Sequence, residues 1–206
     1  MAVNRTLLKL IFEEPLEGCR VLDVGCGAGA LTFLVARKAK HVTGIDISEE
    51  AVAEARGRGV ENTSFLVMDA DSGDYTSLGR IDMVVSHLCM SDAIIRNSYR
   101  ALPRGGVLAF ACFHSEHLIE GGRPSRFSYT ADEMRRALVK TGFTVEYLEV
   151  ENKKIPFQNS EEALKILGER TAERWKRDGR LEHLLNYIEA GGRSLTKSIL
   201  VGKARK

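Results

Sequence analysis

The residue types best suited to binding chemistry are concentrated in the segment VLDVGCGAGALT, residues 21–32. Gly25, Gly27 and Gly29 follow an apolar stretch and precede a stretch with helical periodicity. Glycine adopts positive φ without strain and lets a ligand approach the backbone, and the first turn of the following helix presents free N–H groups. The segment therefore predicts a buried strand, a tight turn and a helix that together hold a nucleotide-like molecule.

Two carboxylates follow later strand-like segments. Asp46 lies 23 residues after Asp23, at the end of the second predicted strand. In doubly wound folds a carboxylate there faces the crevice beside the glycine turn and can accept hydrogen bonds from both ribose hydroxyls. Asp69 follows the third predicted strand and could bind an adenine amino group. The alternative for both residues is capping of the next helix, which for Asp46 begins near Ser48.

The elements that must position these residues alternate between strand and helix for two-thirds of the chain. The predicted strands are 20–24, 42–46, 63–68, 81–87 and 106–113. The helical stretches between them are 30–40, 48–59, 72–79 and 91–102, with Ser48 and Ser91 as predicted N-caps. Several strands are apolar without alternation, as expected when helices cover both faces of a parallel sheet. We therefore predict an α/β fold with a doubly wound sheet.

The pattern changes after the fifth strand. Residues 114–128 are rich in Gly, Pro and charge and predict a long surface loop. A capping box, Thr130 to Glu133, predicts a helix through Lys140. Further strands are predicted at 143–151 and 193–204, with two helices near 160–177 and 181–190 between them. The predicted organisation is one domain with a lid helix at 1–17, a ligand-binding core at 18–152, a helical insertion at 153–192 and a last strand at 193–206.

Five segments together resemble the successive motifs of class I S-adenosylmethionine-dependent methyltransferases. In order and spacing they are VLDVGCGAGALT, VTGIDIS, FLVMDAD, IDMVVSHLCM and LPRGGVLAF. The resemblance covers about residues 18–150. It implies a Rossmann-like seven-stranded sheet, mostly parallel with the last strand antiparallel, and the helical insertion falls between the last two strands.

The resemblance also implies which residues contact S-adenosylmethionine. The implied contacts are Asp23, Gly25, Cys26, Gly27 and Gly29 to the methionine part, Asp46 to the ribose, Ile47, Asp69 and Ala70 to the adenine, and Ser86 with His87 beneath the methyl group. His87 ends the fourth strand, and the ordinary pKa of histidine suits proton transfer near neutrality. We therefore name His87 as the candidate general base, with a hydrogen-bonded pocket wall as the alternative.

An NAD-type dinucleotide site is the main competing interpretation of the glycine turn. GCGAGA, residues 25–30, satisfies G-x-G-x-x-A and is followed by an acid about twenty residues on. Asp23 counts against it, because a dinucleotide fold usually has an apolar residue at that point of the strand. The four later segments also follow the methyltransferase pattern.

The methyl acceptor is less well defined than the cofactor. The segment after the fourth strand is SHLCM and lacks the N/D-P-P-Y/F signature of amino methylation of DNA bases, glutamine side chains or some RNA. The pattern more closely resembles the small-molecule group that includes quinone-ring, malonyl-carrier and trans-aconitate methyltransferases. We predict in-line methyl transfer to a small acceptor, which could be anionic. In this interpretation residues 18–152 are the cofactor-binding core and the insertion at 153–192 caps the acceptor.

Charge distribution keeps other functions open. Residues 1–120 carry 12 basic and 16 acidic side chains, and residues 121–206 carry 18 and 12, so the balance changes from −4 to +6. A basic C-terminal face would suit an RNA or protein methyltransferase, although most such charges lie on solvated helix faces. The insertion contributes Arg170, Arg174, Lys176, Arg177 and Arg180. A non-catalytic cofactor-binding protein of the same fold is a further alternative.

Metal binding and membrane insertion are not expected. His114 and His117 flank Glu116, but two histidines three residues apart are weak evidence for a metal site. The four cysteines have no C-x-x-C spacing, and the apolar runs are shorter than the ~18 residues needed to span a bilayer. The first residues have helical periodicity and acidic side chains where a signal peptide would have a cleavage site. These features predict a cytoplasmic protein without a metal.

Overall fold

The computed structural model describes residues 2–125 and 127–206. Contacts within the chain divide it into two compact units. Unit 1 contains Met1–Cys112, Ala131–Glu149 and Val201–Lys206, and unit 2 contains Phe113–Thr130 and Val150–Leu200.

The described residues form eight strands and eight α-helices. The strands are β1 (Arg20–Val24), β2 (His41–Asp46), β3 (Thr63–Val67), β4 (Met83–His87), β5 (Val107–His114), β6 (Ser128–Tyr129), β7 (Thr144–Pro156) and β8 (Ser194–Arg205). The helices are α1 (Arg5–Phe12), α2 (Ala30–Ala36), α3 (Glu49–Gly57), α4 (Asp92–Ala101), α5 (Ala131–Thr141), α6 (Ser160–Leu167), α7 (Glu169–Asp178) and α8 (Arg180–Glu189). Two short 3₁₀ turns span Tyr75–Leu78 and Ile119–Gly121.

The strands pair in the order β3-β2-β1-β4-β5-β8-β7, with β6 beside β5. The strands from β3 to β5 in this order are parallel, and Asp23 of β1 is in register with Gly44 of β2 and Val85 of β4. β8 runs the other way, since Gly105 N–H donates to the Lys206 carbonyl (2.7 Å) at the start of β5. The predicted mostly parallel Rossmann-like sheet with a reversed last strand is confirmed. A parallel sheet brings the carboxyl ends of β1, β2 and β4 to one edge, where ligands bind in such folds.

Three details of the prediction differ from the structure. The segment 114–128 is not wholly a loop, because Ser128 and Tyr129 form a short strand, β6, which pairs with the end of β5. The region predicted as two helices contains three. Gly168 has φ 82° and ψ 143°, a conformation that only glycine adopts readily, so α6 and α7 cannot be one continuous helix. The predicted helix at 72–79 is the 3₁₀ turn at Tyr75–Leu78.

Local sequence signals explain where several helices begin. The Ser48 hydroxyl accepts a hydrogen bond from Ala51 N–H (3.2 Å), and the Ser91 hydroxyl accepts one from Ile94 N–H (3.1 Å), so both predicted N-caps are confirmed. α1 is amphipathic, and Leu7, Leu10 and Ile11 are buried.

Within the described residues no helix combines the length and the apolar character that crossing a membrane requires.

Unit 2 has its own hydrophobic core. The buried members of this cluster are Phe157, Ala163, Leu167, Trp175, Leu184 and Leu195. These side chains pack against one another, whereas Leu185 of α8 is exposed. The role of residues 153–192 as an acceptor cap therefore stays a prediction.

Candidate active site

The glycine turn after β1 has the conformation that its composition predicts. Gly25, Gly27 and Gly29 have φ values of 71°, 51° and 85°, all in the left-handed region. A Cβ at Gly25 would collide with the side chain of Cys89, whereas one at Gly27 would meet no described atom within 4 Å. The turn therefore needs glycine at position 25 for packing, and at position 27 it presents bare backbone to an open space.

Asp46, at the end of β2, is hydrogen-bonded to the glycine turn. Its Oδ2 accepts a hydrogen bond from Gly27 N–H (2.8 Å), and its Oδ1 accepts one from Ser48 N–H (2.9 Å). Each carboxylate oxygen has a second lone pair, so Asp46 can still accept two further hydrogen bonds. Asp46 can therefore accept a hydrogen bond at the start of α3 and still contact a ligand as predicted. Beside it, the Ile47 side chain is 71% exposed, which is unusual for so large an apolar residue.

Asp23 is fully buried in β1. Its Oδ2 accepts a short hydrogen bond from the Thr32 hydroxyl (2.6 Å), but its Oδ1 has no hydrogen-bond partner among the described residues. Burial raises the pKa of Asp23 to about 7, while the hydrogen bonds from Thr32 act in the opposite direction. A buried carboxylate oxygen without a donor is costly, and a cationic donor would relieve that cost.

Asp69 and Ala70 form the turn after β3. Asp69 Oδ1 accepts from Asp71 N–H (2.9 Å), and its Oδ2 accepts from the Ser72 hydroxyl (3.0 Å). The Ala70 carbonyl accepts from the Tyr75 hydroxyl (2.7 Å). These bonds hold the loop that carries both residues at the carboxyl end of β3. Contact of either residue with an adenine stays a prediction.

The segment after β4 is tightly constrained. The Ser86 hydroxyl is fully buried and contacts the carbonyls of Val24 (2.9 Å) and Cys89. Leu88 has φ 63°, which is rare for a residue other than glycine, and its N–H donates to the Ala111 carbonyl (2.6 Å). Ser86 therefore ties β1 to the β4 turn, and its predicted contact with the cofactor stays a prediction.

His87 is half-buried at the end of β4 and contacts the N-terminal segment. Its Nε2 accepts a hydrogen bond from the backbone N–H of Asn4 (3.3 Å). Burial lowers the pKa of His87, so the neutral ring is favoured. Asn4 was missed by the sequence analysis, since 83 residues separate it from His87 and a backbone donor has no signature in the residue type.

The two histidines considered as metal ligands, His114 and His117, belong to a polar cluster in unit 2. We call it the Ser198 cluster, and its members are His114, His117, Asn152 and Ser198. The Ser198 hydroxyl contacts His114 Nδ1 (2.9 Å) and Asn152 Oδ1, and Ser198 N–H donates to His117 Nδ1 (3.2 Å). Burial lowers the pKa of His117 to about 4. Across residues 2–125 and 127–206, no group of three or more His, Cys, Asp and Glu side chains is arranged to hold a metal ion.

The basic residues of the insertion differ from one another in exposure. Arg170, Arg174, Lys176 and Arg177 are exposed. Arg180 is buried, donates from Nε and Nη2 to the Asp178 carboxylate (3.0 and 2.6 Å), and lies 5.1 Å over the Trp175 ring. Arg180 was wrongly grouped with cations available to an anionic ligand, because its charge is already paired inside unit 2.

Comparisons with known proteins agree with this geometry. The family described as a methyltransferase domain matches residues 15–173. The chain therefore belongs to the class I S-adenosylmethionine-dependent methyltransferases. Members of this family use S-adenosylmethionine as methyl donor.

Two curated methyltransferases are similar to parts of the chain. The chain is 39% identical over 110 residues to aklanonic acid methyltransferase DauC of Streptomyces sp. (strain C5), covering 48% of this chain and 50% of the relative. It is 32% identical over 166 residues to malonyl-[acyl-carrier protein] O-methyltransferase of Geobacter sulfurreducens, covering 68% and 61%. The chain thus spans about half to three-fifths of the length of these curated relatives.

A solved structure shares the fold along nearly the whole chain. The S-adenosylmethionine-dependent methyltransferase from Mesorhizobium loti superposes with a TM-score of 0.64 at 20% identity, covering 98% of this chain and 96% of that protein. At that identity the likeness establishes the fold alone.

Proposed function

We propose that this protein transfers the methyl group of S-adenosylmethionine to a small-molecule acceptor by in-line displacement. The observation that carries the proposal is the arrangement at the carboxyl ends of β1 and β2. There the open face of Gly27 adjoins the Asp46 carboxylate, and Asp23 Oδ1 is buried without a donor from the described part of the chain.

The chemistry of these groups fits S-adenosylmethionine. Asp23 Oδ1 would accept from the ammonium of the methionine part, and the turn from Gly25 to Gly29, including Cys26, would line that part. Asp46 would accept from the ribose hydroxyls with its remaining lone pairs. Ile47 offers exposed apolar surface for the adenine, with Asp69 and Ala70 at its edge and Ser86 below the methyl group.

The cofactor supplies a methyl group on a sulfonium, which is already an excellent leaving group. The protein's main contribution is then to orient the acceptor and to exclude water. Well-oriented reactions gain effective molarities of ~10⁵–10⁸ M, so a prominent catalytic side chain is not required. The contact between Asn4 and His87 supports the proposal that the N-terminal segment lies over the site as a lid.

A small-molecule acceptor is supported by the relatives. Aklanonic acid methyltransferase is named for a small molecule, and the Geobacter enzyme is named for a malonyl group on a carrier protein. The first of these names is that of an acid. We therefore expect a small acceptor with a carboxylate or another acidic group.

Calorimetric titration of the purified protein with S-adenosylmethionine, S-adenosylhomocysteine and NADH tests the proposal. We expect micromolar affinity for the first two and no binding of NADH. Binding of NADH alone would contradict the proposal and make residues 21–46 a dinucleotide site. An acceptor screen that follows release of S-adenosylhomocysteine then compares small acids with RNA, and salt-sensitive RNA methylation would favour a nucleic-acid acceptor instead.

A further inference from the structure

The hydrogen bond between Asn4 and His87 fixes the protonation pattern of the imidazole. A backbone N–H can only donate, so the Nε2 atom that faces it at 3.3 Å must carry a lone pair. A neutral imidazole has one protonated nitrogen, so the proton of His87 is on Nδ1. The assignment follows from the chemistry of the donor, because a main-chain N–H has no lone pair to offer the ring.

The position of the Asn4 N–H is set by the start of α1. Asn4 is the N-cap of that helix, its Oδ1 accepts from Leu7 N–H (2.8 Å), and its carbonyl accepts from Leu8 N–H (3.2 Å). Leu7 and Ile11 anchor the helix with fully buried side chains. The helix is therefore held at both its cap and its apolar face, and the donor that faces His87 is held with it.

His87 in this arrangement has no lone pair with which to take a proton. Nε2 accepts from Asn4, and Nδ1 already carries hydrogen. We propose that Asn4 is a positioning residue that keeps His87 as a neutral Nδ1–H donor, and that His87 thereby orients an acceptor that arrives already anionic, as a carboxylate does. The substrate class, though not the tautomer, rests on the methyltransferase function proposed above.

The reaction of a carboxylate balances without a base. One carboxylate oxygen forms the new O–CH₃ bond while the S–CH₃ bond breaks and its electron pair remains on sulfur. The products are a methyl ester and neutral S-adenosylhomocysteine, and no proton is released. A phenol or a protonated amine would have to lose a proton, which His87 cannot accept while Asn4 is in place.

Nitrogen-15 NMR of the histidine side chains tests the tautomer directly. Asn4 has φ −61°, close to the value fixed in proline, so Asn4→Pro removes the N–H with little change of the backbone. Asn4→Ala is the matched control, because it loses the same side-chain cap but keeps the N–H. His87→Gln identifies the His87 signals among those of the five histidines.

We expect the Nδ1–H tautomer for His87 in the wild-type protein and in Asn4→Ala, and a mixture of tautomers in Asn4→Pro. An Nε2–H tautomer in the wild-type protein, or identical spectra for the two Asn4 variants, would overturn the inference. This readout needs neither cofactor nor acceptor, so it can fail while S-adenosylmethionine still binds, and the reverse is also possible.

Measurements of methyl transfer distinguish a hydrogen-bond donor at His87 from a general base there. An asparagine side chain can place its amide N–H where Nδ1 was, whereas glutamine reaches the Nε2 position. With benzoate, trans-cinnamate and a malonyl thioester as probes, we expect His87→Asn to keep at least about tenfold more S-adenosylhomocysteine release than His87→Gln, as expected for one hydrogen bond to a charged group. Equal losses in both variants, or turnover of matched phenols in place of the acids, would contradict the proposed role.

Discussion

The glycine-turn site of unit 1 and the Ser198 cluster of unit 2 are both polar, but they differ in how their hydrogen-bonding capacity is used. In the first, Asp23 Oδ1 has no partner among residues 2–125 and 127–206, and Asp46 retains two lone pairs. In the second, Ser198 is bonded through both its hydroxyl and its N–H to its neighbours. Unused capacity of this kind is expected at a ligand site, whereas a structural polar cluster satisfies it internally. Under our proposal, this difference separates the cofactor site from a cluster that only stabilises the fold.

Removing the central aromatic residue of unit 2 should have the largest effect on stability. Trp175 is 1% exposed within the unit 2 core. We expect Trp175→Ala to lower the free energy of unfolding by about 3–5 kcal/mol, because a large cavity would remain. Denaturant unfolding measures this loss. The exposed neighbour Arg174→Ala is the control, and a large loss of S-adenosylmethionine affinity in folded Trp175→Ala would mean that unit 2 is not merely structural.

Asp23 should make the cofactor-free protein less stable as the pH rises. Burial raises its pKa from an ordinary value of 3.8 to about 7, so the folded state holds a proton that the unfolded state has lost between these values. Its contribution is fully present below pH 4 and is lost as the pH rises through 7, a change on the order of 4 kcal/mol. Unfolding of wild type and Asp23→Asn from pH 4 to 8 measures it. Parallel pH dependences would show that Asp23 is not buried in the protonated form.

Asp46→Ala should weaken S-adenosylmethionine binding by about 1.5–3 kcal/mol, since hydrogen bonds to a charged group are worth this much. Calorimetry gives the affinity, and Asp132→Ala, which removes an exposed carboxylate of α5, is the control. Unchanged affinity in Asp46→Ala would remove this residue from the site. The contrast between the glycine-turn site and the Ser198 cluster would then depend on Asp23 alone.

His117 should have the opposite pH dependence to Asp23. Its pKa is lowered from 6.5 to about 4, so the unfolded state binds the proton first as the pH falls. Stability is therefore lost between about pH 6.5 and pH 4, by on the order of 2 kcal/mol after allowance for partial exposure. Unfolding curves of His117→Gln and wild type over this range give the difference. If the loss is the same in both proteins, the Ser198 cluster does not exclude a charged histidine.

The parts of the molecule predicted correctly from the sequence depend on local patterns. The strands, the N-caps at Ser48 and Ser91 and the positive φ of the glycine turn follow from periodicity and residue type within a few positions. The Ser198 cluster joins His114, Asn152 and Ser198 from three distant segments, and no local pattern encodes such a meeting. The break at Gly168 was available in the sequence, since glycine within a helix costs about 1 kcal/mol.

The positive φ of Leu88 also matters for redesign of the sequence. A sequence chosen only to stabilise this backbone would place glycine or asparagine at position 88, where φ is 63°. A leucine there costs roughly 1 kcal/mol in backbone strain. The residue adjoins His87, which we propose contacts the acceptor, so a redesign that optimised every backbone position would remove an apolar side chain next to the proposed site. Protein engineers who stabilise this protein should therefore leave position 88 unchanged.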